Sequence, residues 1–210
     1  MKKTFKTLVI ITSVIALSLM IGCSKKVETT NEPIDPPKEL PIATIKVKDY
    51  GTIEAELYPH LAPNTVNNFI ELANEKFYDG LIFHRVVKDF VLQGGDPEGT
   101  GMGGPGYSIK GEFEDNGFKN DIKHQKGILS MARSQQPDSG GSQFFIVTKD
   151  ASNLDKQYAA FGKVISGMNI VDKINNVEVG SNDKPVKNVV IESIRVDTKG
   201  IDYKKAEKIK

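Results

Sequence analysis

The chain has 210 residues, 39% apolar and 26% charged, which suits one domain with a real core plus additional segments. Its formal charge is +1, and −2 once the N-terminal Lys2, Lys3 and Lys6 are set aside (25 basic against 27 acidic), which removes any general electrostatic case for nucleic-acid binding. The single cysteine, Cys23, excludes an intrachain disulfide.

The basic start, residues 1–6, leads into an uncharged and mostly apolar run at residues 8–21. That run falls short of the roughly 20 residues that span a bilayer, and its size and flanks predict a secretory signal, residues 1–22. The sequence Leu19-Met20-Ile21-Gly22-Cys23 resembles the lipobox of bacterial lipoproteins. The resemblance implies lipidation of Cys23 and a membrane anchor outside the cytoplasm, with more than one acyl chain for stable attachment. Residues 23–40 then read as a lipidated N-terminus and a linker. The linker is polar, lacks apolar periodicity and carries Pro33, Pro36 and Pro37.

Residues 42–48 and 52–58 alternate apolar and polar around Asp49-Tyr50-Gly51, which predicts a hairpin. Pro63 opens a helix whose apolar stripe is Val66, Phe69, Ile70 and Ala73. Tyr78-Asp79-Gly80 is a turn. Residues 81–87 and 90–93 are strand-like, rich in β-branched and aromatic side chains. Glycine dominates residues 94–111. Gly99, Gly101 and Gly104 match G-x-G-x-x-G, but Pro105-Gly106 follow where a dinucleotide fold would start a helix, so a surface loop is expected. Residues 112–126 read as a long loop. Residues 127–132, 144–148 and 161–165 are further strands. Residues 168–174 carry Ile170, Val171 and Ile174 at helical spacing, and residues 189–196 form a last strand. Residues 198–210 are a lysine-rich tail, expected to be solvated, the alternative being a weak contact with anionic lipid or wall polymer.

The fold expected from this pattern is mainly β: about eight short strands and two helices, joined by Gly-rich loops, as a closed barrel. Other chemistries fare poorly. His60, His84 and His124 lack the close pairing of a zinc site, and Ser142 sits in Gly-Gly-Ser-Gln, outside a G-x-S-x-G elbow.

Several blocks occur in a fixed order: Phe83-His84-Arg85, Phe90-Val91-Leu92-Gln93-Gly94-Gly95-Asp96, Gly127-Ile128-Leu129-Ser130-Met131-Ala132 and Gly141-Ser142-Gln143-Phe144-Phe145-Ile146. Together with Phe161-Gly162-Lys163-Val164 they resemble the signature blocks of the cyclophilins, over residues 41–197. The resemblance implies an eight-stranded antiparallel barrel capped by two helices, and peptidyl-prolyl cis–trans isomerase activity without a cofactor. Carried over residue by residue, it implies Arg85, Phe90 and Gln93 as catalytic residues. It implies Val91, Ala132, Phe145, Leu154 and Tyr158 as substrate-binding ones. Asn153 stands where some members have tryptophan, and Tyr158 where others have histidine.

These residue types suit the reaction. Amide rotation needs no nucleophile and no proton transfer. It needs an apolar seat for the proline ring and a donor aimed at the prolyl amide, and arginine supplies a permanently charged one. The expected partners are proline-containing segments of exported proteins, and a monomer is expected. The alternative is a proline-segment-binding chaperone or scaffold with little catalytic role.

Overall fold

The computed structural model describes residues 35–209. The expected signal, Cys23 and most of the linker lie outside the described residues. Among the described residues there are eight strands: β1 Ile42–Val47, β2 Gly51–Leu57, β3 Phe83–Val87, β4 Val91–Gly94, β5 Ile128–Met131, β6 Phe144–Val147, β7 Ala160–Ser166 and β8 Ile191–Asp197. Two α-helices accompany them among the described residues, α1 Pro63–Asn74 and α2 Met168–Asn175. Short 3-10 turns occupy Glu114–Asn116, Ser152–Leu154 and Ser181–Asp183.

All strand pairs are antiparallel, in the order β3-β4-β6-β5-β7-β2-β1-β8. The first hairpin shows how pattern becomes structure. Ala43, Ile45 and Val47 on β1, and Ile53, Ala55 and Leu57 on β2, are all buried. Its turn holds Asp49 at φ 64° and Gly51 at φ 125°, a left-handed region where glycine is at ease. A Cβ at Gly51 would also stand only 2.9 Å from Ile170 Cδ1 on α2.

Helix α1 begins with Pro63 and buries Val66, Phe69, Ile70 and Ala73. Phe69 anchors an aromatic cluster with Tyr78, Phe144 and Phe161, at centroid distances of 5.4, 5.4 and 5.1 Å. The first turn of α1 lacks a cap from its own flank. The carboxylate of Glu112 replaces it, accepting from the Asn64 and Thr65 backbone N–H groups at 2.9 and 2.8 Å and from the Thr65 hydroxyl at 2.7 Å. The expected loop over residues 112–126 therefore holds a buried helix cap.

Two expectations need correction. The sheet is an open, curled half-barrel and not a closed barrel. Among the described residues its two edges approach where Ile82 bridges Val190, with the Phe83 N–H donating to the Val189 carbonyl at 2.9 Å, the Gly80 N–H to the Ile191 carbonyl at 2.8 Å and the Ile191 N–H to the Leu81 carbonyl at 2.8 Å. The turn Ser181–Asp183 also packs beside β3, where Asp183 meets Arg85. The lysine-rich tail is also not simply solvated. Tyr203 packs against the main core, and Ile209 forms a two-bond bridge with Ser108. Among the described residues, no helix is long and apolar enough to cross a membrane.

Candidate active site

Strand register builds the site. Arg85 on β3 pairs with Gln93 on β4, Gln93 with Phe145 on β6, and Phe145 with Ser130 on β5. Successive side chains of a strand point to opposite faces. The adjacent row, Val86, Leu92, Ile146 and Leu129, is therefore turned the other way, into the main core. The face carrying Arg85 has a separate apolar cluster. Val91, Phe145 and Leu154 are buried in it, and Phe90, Ala132 and Tyr158 pack against it.

The polar side of the row is a chain of contacts. Arg85 Nη1 stands 3.5 Å from Gln93 Oε1, at the limit of hydrogen bonding. Gln93 Nε2 donates to Gln143 Oε1 at 2.9 Å. Gln143 Nε2 in turn donates to the carbonyls of Gly101 (3.1 Å) and Gly103 (2.9 Å). From the other side, Arg85 Nε lies 3.4 Å from Asp183 Oδ2, with the two side chains 39% and 45% exposed. The guanidinium is thus held between a carboxylate and an amide oxygen, with donors to spare.

The apolar side rests on a buried hydrogen-bonded support. Phe145 meets Tyr158 edge-on, at 5.6 Å and 82° between ring planes. Beneath it, His124 stacks at 6.1 Å and 25°. His124 Nδ1 is 3.2 Å from Asp155 Oδ1, and Nε2 is 3.0 Å from Ser130 Oγ. If Nδ1 carries the proton to Asp155, Nε2 accepts from the serine hydroxyl. Burial lowers the His124 pKa, against the upward pull of Asp155. This Ser-His-Asp set is no hydrolytic triad: Ser130 and His124 are both shut away from solvent. It braces Phe145 from below. Arg133 lays its guanidinium 4.7 Å from the Tyr158 ring centroid and 5.0 Å from that of Phe113.

Beside this recess runs an open cleft of about 550 Å³. Gln93, Ala132 and Gln143 border it, and residues 101–108 form its glycine-rich wall. Ala132 belongs to both spaces, and its N–H donates to the Gln143 carbonyl at 2.9 Å.

The eight described residues anticipated from sequence (Arg85, Phe90, Val91, Gln93, Ala132, Phe145, Leu154 and Tyr158) come together on this face. Cys23 lies outside the described residues. Sequence reasoning missed Gln143, Asp183, His124 and Arg133. Gln143 stood inside a quoted block, next to Phe144-Phe145, so position was the one available signal. Asp183 lies 98 positions from Arg85, and nothing in its own neighbourhood marks it.

The cyclophilin type peptidyl-prolyl cis-trans isomerase/CLD family matches residues 42–196. Peptidyl-prolyl cis-trans isomerase B of Bacillus subtilis is 52% identical over 133 residues, covering 63% of this chain and 90% of that protein. A peptidyl-prolyl cis-trans isomerase of Helicobacter pylori is 47% identical over 139 residues, covering 65% and 82%. A cyclophilin type peptidyl-prolyl cis-trans isomerase of Cryptosporidium parvum, crystallised in the presence of the dipeptide Ala-Pro, superposes with a TM-score of 0.68 at 34% identity. That match covers 74% of this chain and 98% of the other. Some relatives are longer, and the chain spans 26% to 38% of their length.

Proposed function

The chain belongs to the cyclophilin-type peptidyl-prolyl cis–trans isomerases, and we propose that Arg85 and the apolar recess beside it carry the rotation of X-Pro bonds. The supporting observation is the row Arg85–Gln93–Phe145, which sets a braced cation next to an apolar floor on adjacent strands.

An amide resists rotation by about 18–20 kcal/mol because resonance keeps it planar. Uncatalysed X-Pro exchange takes tens to hundreds of seconds. At the twisted midpoint resonance is lost and the prolyl nitrogen regains a lone pair. A proline ring seated among Phe90, Val91, Phe145, Leu154 and Tyr158 leaves the rest of the substrate free to turn about it. Arg85 donates to the nitrogen as its lone pair appears, an interaction stronger in the twisted state than in the planar one. Asp183 and Gln93 keep the guanidinium from swinging away. No bond is made or broken, so no nucleophile or base is required.

Dynamic NMR on an Ala-Pro peptide tests this reading. Substoichiometric protein should bring the cis and trans lines into exchange, and the proline ring resonances should shift on saturation. Binding without exchange would favour a proline-segment-binding chaperone or scaffold.

The proposed place of action is the outer side of a cytoplasmic or outer membrane, on proline-containing exported proteins. The support is the apolar run at residues 8–21 and Gly22-Cys23 directly after it. The Cys23→Ser chain should leave the membrane fraction. Equal membrane retention of both forms would contradict lipid anchoring at this residue.

A further inference from the structure

The wall of the cleft is a glycine-rich run held by side chains around it: at its base the Asp96 carboxylate accepts from the Thr100 N–H at 2.9 Å and from the Gly101 N–H. Four of the six residues 101–106 are glycine (Gly101, Gly103, Gly104 and Gly106), with Gly101 at φ 89° and Gly106 at φ 84°. Such a chain is pliable. From the inside, Gln143 grips the Gly101 and Gly103 carbonyls. From the outside, the grip comes from the C-terminal segment 203–209, which lies beyond the family match at residues 42–196.

This outer grip is specific. The Ser108 N–H donates to the Ile209 carbonyl at 2.9 Å, and the Ile209 N–H returns a bond to the Ser108 carbonyl at 2.7 Å. Lys208 lies over the ring of Tyr107, 4.4 Å from its centroid, while its Nζ bonds Glu71 Oε1 on α1 at 2.6 Å. Asn64 brackets the Glu207 backbone, donating to its carbonyl at 3.0 Å and accepting from its N–H at 2.7 Å. The Tyr107 hydroxyl donates to Asn68 Oδ1 at 2.8 Å, and Asn68 Nδ2 donates to the Gly141 carbonyl at 2.7 Å. Tyr107, Ser108 and Gly141 all line the cleft. The tail therefore ties the wall to α1, and Tyr107 ties it through Asn68 of the same helix to Gly141.

We propose that the segment 203–209 is a strap that positions the glycine-rich wall and thereby sets which substrate side chains the cleft accepts. The inference rests on reading the recess and cleft as the substrate site. The contacts of the strap named above fall on the cleft wall and on α1. The strap acts through Tyr107 and Ser108, and Lys208 and Ile209 are positioning residues. With the strap in place the cleft has one width and discriminates between flanking side chains. Without it the glycine wall relaxes and the discrimination falls.

The test uses the full chain and three variants. Ile209→Pro removes the N–H given to Ser108, Lys208→Ala removes the cation over Tyr107, and Lys208→Arg preserves a long cation there. Isomerisation is measured on a blocked X-Pro dipeptide, which fills the recess alone. It is also measured on longer peptides that vary the residues flanking the X-Pro pair. Ile209→Pro and Lys208→Ala should narrow the spread of kcat/KM across the longer peptides by about threefold or more. They should leave the dipeptide within about twofold, and Lys208→Arg should keep the full spread. An unchanged spread in both disrupting variants would overturn the proposal, making the strap a simple terminal clasp. So would an equal loss on every peptide together with a lowered melting temperature. If the unaltered chain accelerates no peptide, the substrate-site reading fails first and takes the strap proposal with it.

Discussion

Arg85 Nε stands 3.4 Å from Asp183 Oδ2, so the cation facing the recess is held by a carboxylate from a turn that is remote in sequence. That turn is backbone-strained. Asn182 and Asp183 sit at φ 59° and 57°, a region that Asn and Asp tolerate better than most side chains. Lys184 ties the same turn to the Gly99 carbonyl at 3.2 Å.

Asp183→Ala should lower kcat/KM modestly. A half-exposed ion pair contributes roughly 0.2–1 kcal/mol, equivalent to about 1.5- to 5-fold in rate. In a chain already carrying Arg85→Ala, the same change should do nothing further. Steady-state kinetics on the four members of this cycle decide the matter, and an equal loss in both backgrounds would remove Asp183 from the positioning of Arg85.

Phe145 separates the recess from the buried His124 support. Phe145→Leu keeps an apolar side chain of similar bulk and should cost under about 1.5 kcal/mol of stability. It also loses the edge contact with Tyr158 and the flat floor under the proline ring. The expected result is a raised KM for Ala-Pro peptides with little change in melting temperature. Phe145→Ala should cost about 3–5 kcal/mol and is a test of packing.

Acid should destabilise the fold in a defined window. Burial lowers the pKa of both His84 and His124 from the ordinary 6.5, with Asp96 and Asp155 respectively pulling them up. A lowered folded-state value means stability that is present above pH 6.5 and lost as pH falls through the folded value. Glu112 acts in the opposite sense. Burial raises its pKa from 4.5, so its contribution is present below that value and is lost as pH rises through the folded one. Urea unfolding from pH 7.5 to 5 should therefore show a loss of stability with acid. That loss should become steeper in Glu112→Gln, where the opposing group no longer titrates. A shallower slope in that variant would contradict the assignment.

Glu112 is also the cap of α1. Glu112→Ala would strip the acceptor from two backbone N–H groups and one hydroxyl. The expected cost is roughly 1–3 kcal/mol. A melting temperature within 1 °C of the unaltered chain, read as a difference of about zero, would mean that water or another group takes over the cap.

Much of the fold could be read from local pattern, because burial on one face of a strand leaves a period of two. Ala43, Ile45 and Val47, or Val66, Phe69 and Ile70, announce their elements by spacing alone. Whether the sheet closes cannot be read that way. It depends on how the two edges come together around Ile82 and Val190, which are remote in sequence. The tail misled for a related reason. Lys204, Lys205 and Lys208 look like solvated charge, yet the segment is held by backbone bonds to Ser108 and by partners on α1. The site divides in the same way. Blocks of sequence carry Arg85, Gln93 and Phe145, while Asp183 and the His124 support are set by tertiary contact.

The central claim is that Arg85 acts in the rotation of X-Pro bonds. The cis-to-trans rate of a short X-Pro peptide, measured with the intact chain and with Arg85→Ala, tests it most directly. The account predicts rapid isomerisation by the intact chain and a loss of about 10²–10³ in kcat/KM for the variant, with the fold preserved by circular dichroism. A folded Arg85→Ala chain that isomerises at the full rate would contradict it.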